Sequence, residues 1–166
     1  KLSKRDGDRL GFPVFPTQWT NPETGEVISG YRESGYISGA FINMLAFLGW
    51  NPGTSQEIFS MQELIEAFTL ERVGKAGAKF DFDKTKWFNQ QYLRGKSKED
   101  LGKDLQVILK ENGVEAKNDF AQAVCQQLKE RATFIKDMWE EGKYYFVAPI
   151  SYDEKTIRKK WGKDTP

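Results

Sequence analysis

The chain has 166 residues, 39% of them hydrophobic, which is enough for one domain or two small ones with a moderate core. A net charge of +1 excludes a global attraction to nucleic acid, and the lack of histidine excludes catalysis by Ser–His or Cys–His pairs. The chain has one cysteine and no zinc-type Cys/His set, which predicts that it has neither a disulfide nor a metal site. It also has no apolar run near the roughly 18 residues of a membrane span and no visible signal peptide, which predicts a cytoplasmic chain without a membrane partner.

The first five residues form a basic cluster. Lys1, Lys4 and Arg5 concentrate positive charge within residues 1–5. Preorganised cationic side chains can stabilise negative charge that develops on phosphate oxygens during a reaction. Taken alone, a short basic run is more often solvated surface than a site. The cluster is therefore a candidate phosphate contact that needs support from the rest of the chain.

Residues 11–34 have the pattern of strands and turns. Two short β-type segments flank a turn in which Pro22 presets φ and Gly25 can take a positive φ. We therefore predict a two-stranded hairpin near residues 17–29. Because an isolated hairpin is marginal in water, it must dock or be mobile. Three side chains are expected to pack on neighbouring helices: Phe15, Trp19 and Val27.

A helical block follows the hairpin. Six apolar residues recur with the spacing of one helix face, and Gly49 and Pro52 end that helix. A capping box of Ser60 and Glu63 starts a second, short helix. The residues expected to face inward are Ile37, Ala40, Phe41, Met44, Leu45 and Leu48 on the first helix, with Phe59 and Leu64 as a hydrophobic staple on the second.

A third helix and a second helical block complete the chain. Asp83 can cap a helix through about Leu93, and Ser97 can cap the next one, which stops at Asn112 and Gly113. Three more helices are predicted, starting at Asn118 or Asp119 and spanning about 133–141 and 153–161. The residues expected to face inward are Leu101, Leu105, Ile108, Leu109, Phe120, Val124 and Leu128.

These elements together predict a mainly α fold. It is a small helical bundle in two sub-blocks, with a short inserted β-hairpin near residues 17–29. Cys125 lies inside a helical pattern, so we expect a buried structural thiol there and not a nucleophile.

Several motifs follow one another in a characteristic order. They are KLSKR at residues 1–5, GYRESGY at 30–36, NMLAFLGW at 43–50, FTLERV at 68–73, and FDK, KWFN and YLR within 82–94. The first resembles the KMSKS-type mobile loop of class I aminoacyl-tRNA synthetases, and the series resembles bacterial glutamyl-tRNA synthetase. The resemblance is specific to about residue 95 and is one of pattern only beyond it. The departure is an insertion at residues 10–34, where the family has a short link.

The resemblance implies a domain organisation. Residues 1–10 would end the catalytic domain, residues 11–35 would be the inserted hairpin segment, and residues 36–95 would form a helical stem-contact module. Residues 96–166 would be the first, truncated part of a helical anticodon-binding domain. Glutaminyl relatives carry β-barrel anticodon domains, so the helical pattern favours the glutamyl enzymes.

The resemblance also implies a reaction for the parent protein. ATP, with Mg²⁺, would activate glutamate as an adenylate, and the acyl group would pass to tRNA(Glu). Without histidine the chain has no HIGH-type motif, and it has no Gly-rich phosphate loop, so the nucleotide-binding fold is missing. We therefore expect a fragment, inactive alone and without a cofactor of its own, of a monomeric glutamate–tRNA ligase.

The resemblance assigns roles to residues in two regions, and the basic charge of the last helix makes that helix a third candidate. In the KMSKS-type loop Lys4 would contact the phosphates of ATP, and the catalytic residues would be Lys1, Ser3, Lys4 and Arg5. In the stem-contact module and in the last helix, cations would neutralise tRNA phosphates without reading bases. The candidates for tRNA binding are Lys79, Lys84, Lys86, Arg94, Arg158 and Lys159.

A plainer interpretation stands beside each of these assignments. A lysine every few residues is also what any solvated helix face shows, and the final basic helix is equally typical of an exposed surface. The alternative function is a stand-alone helical module whose basic start binds RNA without a catalytic partner.

Overall fold

The computed structural model describes Gly7, residues 11–151 and residues 153–161. In this part of the chain one two-stranded sheet precedes seven α-helices, and none of those helices is long and apolar enough to cross a membrane. The elements are β1 (Trp19–Thr20), β2 (Val27–Ile28), α1 (Ser38–Ala46), α2 (Met61–Ala67), α3 (Phe82–Gly95), α4 (Lys98–Glu111), α5 (Asn118–Leu128), α6 (Ile135–Gly142) and α7 (Glu154–Lys160). The predicted mainly α bundle with a short hairpin is confirmed.

The hairpin forms where it is predicted, with shorter strands. β1 and β2 are antiparallel, with Trp19 opposite Ile28, and Gly25 closes the turn with a φ of 70°. Trp19 stacks on Phe15 with ring centroids 5.2 Å apart. Val27 is 58% exposed, so the expectation that it packs on a helix is wrong. Its side chain points to the face of the ribbon opposite that of its neighbour Ile28.

The segment around the hairpin docks on the helical body. The Tyr31 amide donates to the Phe15 carbonyl at 2.9 Å, which joins the two ends of the segment. Phe12 is 8% exposed and stacks on Phe82 of α3 with centroids 4.8 Å apart. These contacts supply the docking that an isolated hairpin needs for stability.

The first core lies between α1, α2 and α3. The predicted capping box is confirmed, since the Ser60 hydroxyl accepts from the Glu63 amide at 3.2 Å and the Glu63 carboxylate accepts from the Ser60 amide at 2.7 Å. Leu45 is 44% exposed, so its predicted inward position is wrong. It lies about 100° around α1 from Met44, which occupies the buried face. The buried clusters are Ala40, Met44 and Phe88, and Trp50, Phe59 and Leu64.

The second core lies between the end of α3 and helices α4 to α6. The Ser97 cap is confirmed, because its hydroxyl accepts from the Asp100 amide at 3.1 Å, and Gly113 ends α4 with a φ of 69°. Phe120 is 44% exposed, so its predicted inward position is wrong. It meets Phe146 edge to face, with centroids 5.4 Å apart. The buried members are Leu93, Leu101, Leu105, Leu109, Ala121, Val124, Cys125, Leu128, Ala132 and Met138.

The environment of Cys125 predicts an inert thiol in the folded chain. Cys125 is fully buried, as expected, and its thiol donates to the Leu101 carbonyl at 3.5 Å. Burial raises the pKa of this thiol from 9.0 to about 11. Since the thiolate is the reactive form, we expect iodoacetamide at pH 8 to label the folded chain about 100-fold more slowly than the unfolded chain.

The same shift in pKa gives a pH dependence of stability. The unfolded thiol ionises first as pH rises from about 9 to about 11, so the free energy of unfolding should fall over that window. Cys125→Ala is the control and should show a flatter dependence of unfolding free energy on pH over that window.

In the labelling experiment with iodoacetamide, equal rates for the folded and unfolded chain would contradict the burial of this thiol.

Candidate nucleic-acid interface

Helix α3 carries three of the candidate cations, and it starts earlier than predicted. Asp81 is the N-cap, since its carboxylate accepts from the Lys84 amide at 3.0 Å. Asp83, the predicted cap, lies in the first turn, where its charge meets the positive end of the helix dipole. Both aspartates have the side chain that a cap needs. However, Phe82, which stacks on Phe12, is already the first residue of the helix, so the N-cap is the residue before it. The prediction was therefore wrong by two residues.

Lys84 is held by partners on the first helical block. Its ammonium lies 2.9 Å from the Glu57 carboxylate and 5.7 Å from the ring centroids of Phe47 and Phe88. Both side chains of the ion pair are 44% exposed, so the pair contributes at most about 1 kcal/mol. Lys84 can exchange Glu57 for a phosphate at small cost, but its charge is already compensated in the free chain.

Lys86 and Lys79 are placed differently. The Lys86 ammonium lies 4.8 Å from the ring centroid of Phe82, and the residue is exposed. Lys79 precedes α3 and is exposed as well. Positions 84 and 86 of a helix are about 200° apart, so Lys84 and Lys86 lie on opposite sides of α3. The structure does not bring them together in one basic patch.

Arg94 and the cations of α7 complete the set. The Arg94 Nε atom lies 3.3 Å from the Glu130 carboxylate, and its guanidinium also donates to the Glu130 carbonyl. Arg158 pairs with Glu154 at 3.4 Å, one turn earlier in α7, while Lys159 is exposed. Half of the six candidates are thus ion-paired. In the described part of the chain, the other three have no ion pair: Lys79, Lys86 and Lys159.

The candidate ATP contact lies outside the described residues. Lys1, Ser3, Lys4 and Arg5 all belong to the part that the structure leaves undescribed. Their assignment remains a prediction that rests on the sequence motif.

A buried polar network on α1 and α3 was missed by the sequence reasoning. Asn89 is fully buried, accepts from the Ile37 amide at 2.8 Å and donates to the Thr133 carbonyl at 2.6 Å. Asn43 is also fully buried and accepts from the Phe59 amide at 2.8 Å and the Tyr92 hydroxyl at 3.1 Å. A signal was present, because an asparagine on an apolar helix face must find partners when it is buried.

The described residues can hold a polyanion through exposed cations. Phosphate contacts of this kind position a nucleic acid without reading its sequence. Among residues 11–151 and 153–161 there is no group of three or more Cys, Asp or Glu side chains that could hold a metal ion.

Two family models match the chain, and they meet on α3. The catalytic domain of class I tRNA synthetases (E and Q) matches residues 23–87, and an anticodon-binding domain matches residues 90–166. These two matches show that the chain contains parts of two domains of class I aminoacyl-tRNA synthetases.

Similar proteins narrow the class. Over all 166 residues the chain is 58% identical to a glutamate–tRNA ligase of Phocaeicola vulgatus, and it covers 33% of that protein. Over 165 residues, which are 99% of the chain, it is 53% identical to a glutamate–tRNA ligase of Porphyromonas gingivalis and again covers 33% of that protein. A crystal structure of a glutamate tRNA ligase from Elizabethkingia meningosepticum in complex with its amino acid matches with a TM-score of 0.92 and 51% identity, over 98% of this chain and 32% of that one. The chain belongs to the glutamate–tRNA ligase family, as the motifs predict. It spans about a third of the length of the curated relatives it matches.

The two aspartates at the start of α3 offer a matched test of the cap. Asp81→Ala should lower the free energy of unfolding by about 1 kcal/mol, because the Lys84 amide loses its acceptor. Asp83→Ala is the control and should cost only a few tenths of a kcal/mol, through the helix dipole. Urea denaturation of both variants measures the difference. A larger loss for Asp83→Ala would place the cap where the sequence alone predicts it.

Proposed function

We propose that this chain is part of a glutamate–tRNA ligase that uses ATP to attach glutamate to tRNA(Glu) in the cytoplasm. One observation carries the proposal: the catalytic-domain match ends at residue 87 and the anticodon-domain match begins at residue 90, both inside α3. A single helix would then join the segment that matches a catalytic domain to the segment that matches an anticodon-binding domain. That arrangement suits an enzyme that must hold one end of a tRNA while it reacts with the other.

The reaction assigns a role to residues 1–5. ATP activates glutamate as an adenylate, and the acyl group then passes to the terminal ribose of the tRNA. Lys4 would contact the phosphates of ATP, Lys1 and Arg5 would add positive charge, and Ser3 would shape the loop. Such preorganised charges act on the leaving pyrophosphate. We propose that Mg²⁺ arrives with ATP, because its phosphates are the usual ligands for this ion.

The remaining residues would position the tRNA. We propose that residues 36–95 contact its stem and that residues 96–166 begin the anticodon-binding domain, with residues 11–35 as the inserted hairpin between loop and module. Lys86 and Lys79 are free of ion pairs among the described residues, so they can meet phosphates directly. Lys84, Arg94 and Arg158 must first leave their carboxylate partners, while exposed Lys159 need not.

The role of the loop is testable in the full-length ligase. Lys4→Ala should slow adenylate formation by roughly 10²–10³-fold, the scale on which loss of one preorganised charge-stabilising donor acts. Pre-steady-state formation of the adenylate measures the rate. Lys110→Ala, an exposed lysine on α4, is the matched control and should leave the rate unchanged. A near-normal rate for Lys4→Ala would make Lys4 an ordinary surface residue.

The role of the cations is testable in the 166-residue chain. Its affinity for tRNA(Glu) should fall as salt rises from about 50 to about 200 mM, since phosphate contacts release counterions. Lys86→Ala should reduce the salt slope by about 1, and Lys84→Ala by less, because Glu57 already compensates that charge. Fluorescence anisotropy gives the affinities of the unmodified chain and the two variants at each salt concentration. Salt-independent binding would contradict this mechanism.

A further inference from the structure

Asn89 lies at the middle of α3, between the two helical blocks. Its carboxamide oxygen accepts from the amide of Ile37, which directly precedes α1, and its carboxamide nitrogen donates to the carbonyl of Thr133, in the turn before α6. The two partners are 52 and 44 residues away in the chain. One side chain thus ties the segment before α1 to a turn within the part that matches the anticodon-binding domain.

Two neighbouring contacts reinforce this joint. Tyr36 packs edge to face on Phe134, with ring centroids 4.9 Å apart and planes at 82°. Arg94, on the next turns of α3, pairs with Glu130 at 3.3 Å. The turn between α5 and α6 is therefore fixed on α3 and on the segment before α1 by three adjacent contacts, and the Asn89 contact is the one made by a fully buried polar side chain.

The segment before α1 continues towards the hairpin by backbone bonds. The Tyr36 amide donates to the Tyr31 carbonyl at 3.0 Å, and the Tyr31 amide donates to the Phe15 carbonyl at 2.9 Å. Phe12 of the same segment stacks on Phe82. A continuous set of contacts thus runs from Thr133 to the residues that follow the KMSKS-type loop in sequence.

We propose that Asn89 is a positioning residue that couples the anticodon-binding part to the catalytic part. Through this coupling, the anticodon of the bound tRNA affects the rate of the reaction and not only the affinity for the tRNA. The inference rests on the proposed function. The carboxamide of Asn89 is fully buried and has both of its partners in place, so a shift of either segment along α3 would leave a buried polar group unpaired. Because contacts between two sites do not by themselves establish energetic coupling between them, the experiments below measure the coupling directly.

The first measurement uses the 166-residue chain. Asn89→Leu keeps the branched shape and the number of side-chain heavy atoms and removes both hydrogen bonds. Thr85→Val is the matched control, since Thr85 is equally buried on α3 but its hydroxyl donates to Asp81 in the same helix, at 2.9 Å. Hydrogen exchange at the Ile37 amide should be about tenfold faster in Asn89→Leu than in Thr85→Val. Equal protection in the two variants would overturn the proposal.

The second measurement uses the full-length ligase with intact tRNA(Glu) and with tRNA(Glu) altered in its anticodon. In the unmodified enzyme and in Thr85→Val, the altered anticodon should lower kcat. In Asn89→Leu, kcat with intact tRNA should fall about tenfold, the kcat penalty for the altered anticodon should largely disappear, and KM for intact tRNA should change less than about twofold. A simple loss of stability would not abolish the anticodon penalty.

The other possible results of the two measurements also support or overturn the proposed coupling. An effect of the anticodon confined to KM in the unmodified enzyme, or a kcat penalty that persists in Asn89→Leu, overturns the coupling role. If Asn89→Leu does not fold, Asn89→Asp keeps the bond from the Ile37 amide, loses the one to the Thr133 carbonyl and should reduce the penalty in the same direction. An unmodified enzyme that does not charge tRNA(Glu) would refute the proposed function instead, while the exchange data would still report on the joint.

Discussion

The shared helix α3 is the constraint on which the rest of the structure depends. Its 14 residues make a rod about 20 Å long, and that rod is part of two hydrophobic cores at once. Phe88 is buried with α1 in the first core, and Leu93 is buried with α4 to α6 in the second. Asn89 lies between them with both ends of its carboxamide satisfied. Because a helix of this length is stiff, it holds the two helical blocks at a fixed orientation relative to each other.

Charge plays a secondary part in this arrangement. Lys84 and Arg94 of α3 each face a carboxylate, Glu57 in the first block and Glu130 in the second. The Lys84–Glu57 pair is exposed at both ends, so it contributes little to stability and exchanges readily. With a net charge of +1, the chain has no long-range field to orient a polyanion, so a tRNA would be positioned by where the helices place individual cations.

Predictions based on near neighbours in sequence and on helix periodicity were mostly right, and the exceptions depend on packing between distant segments. The caps at Ser60 and Ser97 need only partners three residues away, so they could be predicted. Between Asp81 and Asp83 local chemistry is equal, and the packing of Phe82 on Phe12 distinguishes them. The outward positions of Leu45 and Phe120 follow from which narrow stripe of each helix meets a neighbour.

The sequence by itself determined the helical class, the hairpin, two helix caps and the glutamyl-tRNA synthetase resemblance, because these depend on short motifs and on spacings of three or four residues. Only the tertiary structure decided which cations are already paired and which residue joins the two blocks. Lys84 meets Glu57 across 27 residues, and Asn89 meets Ile37 across 52. No local pattern specifies partners so far apart in the chain, since they meet only when the cores on both sides of α3 have formed.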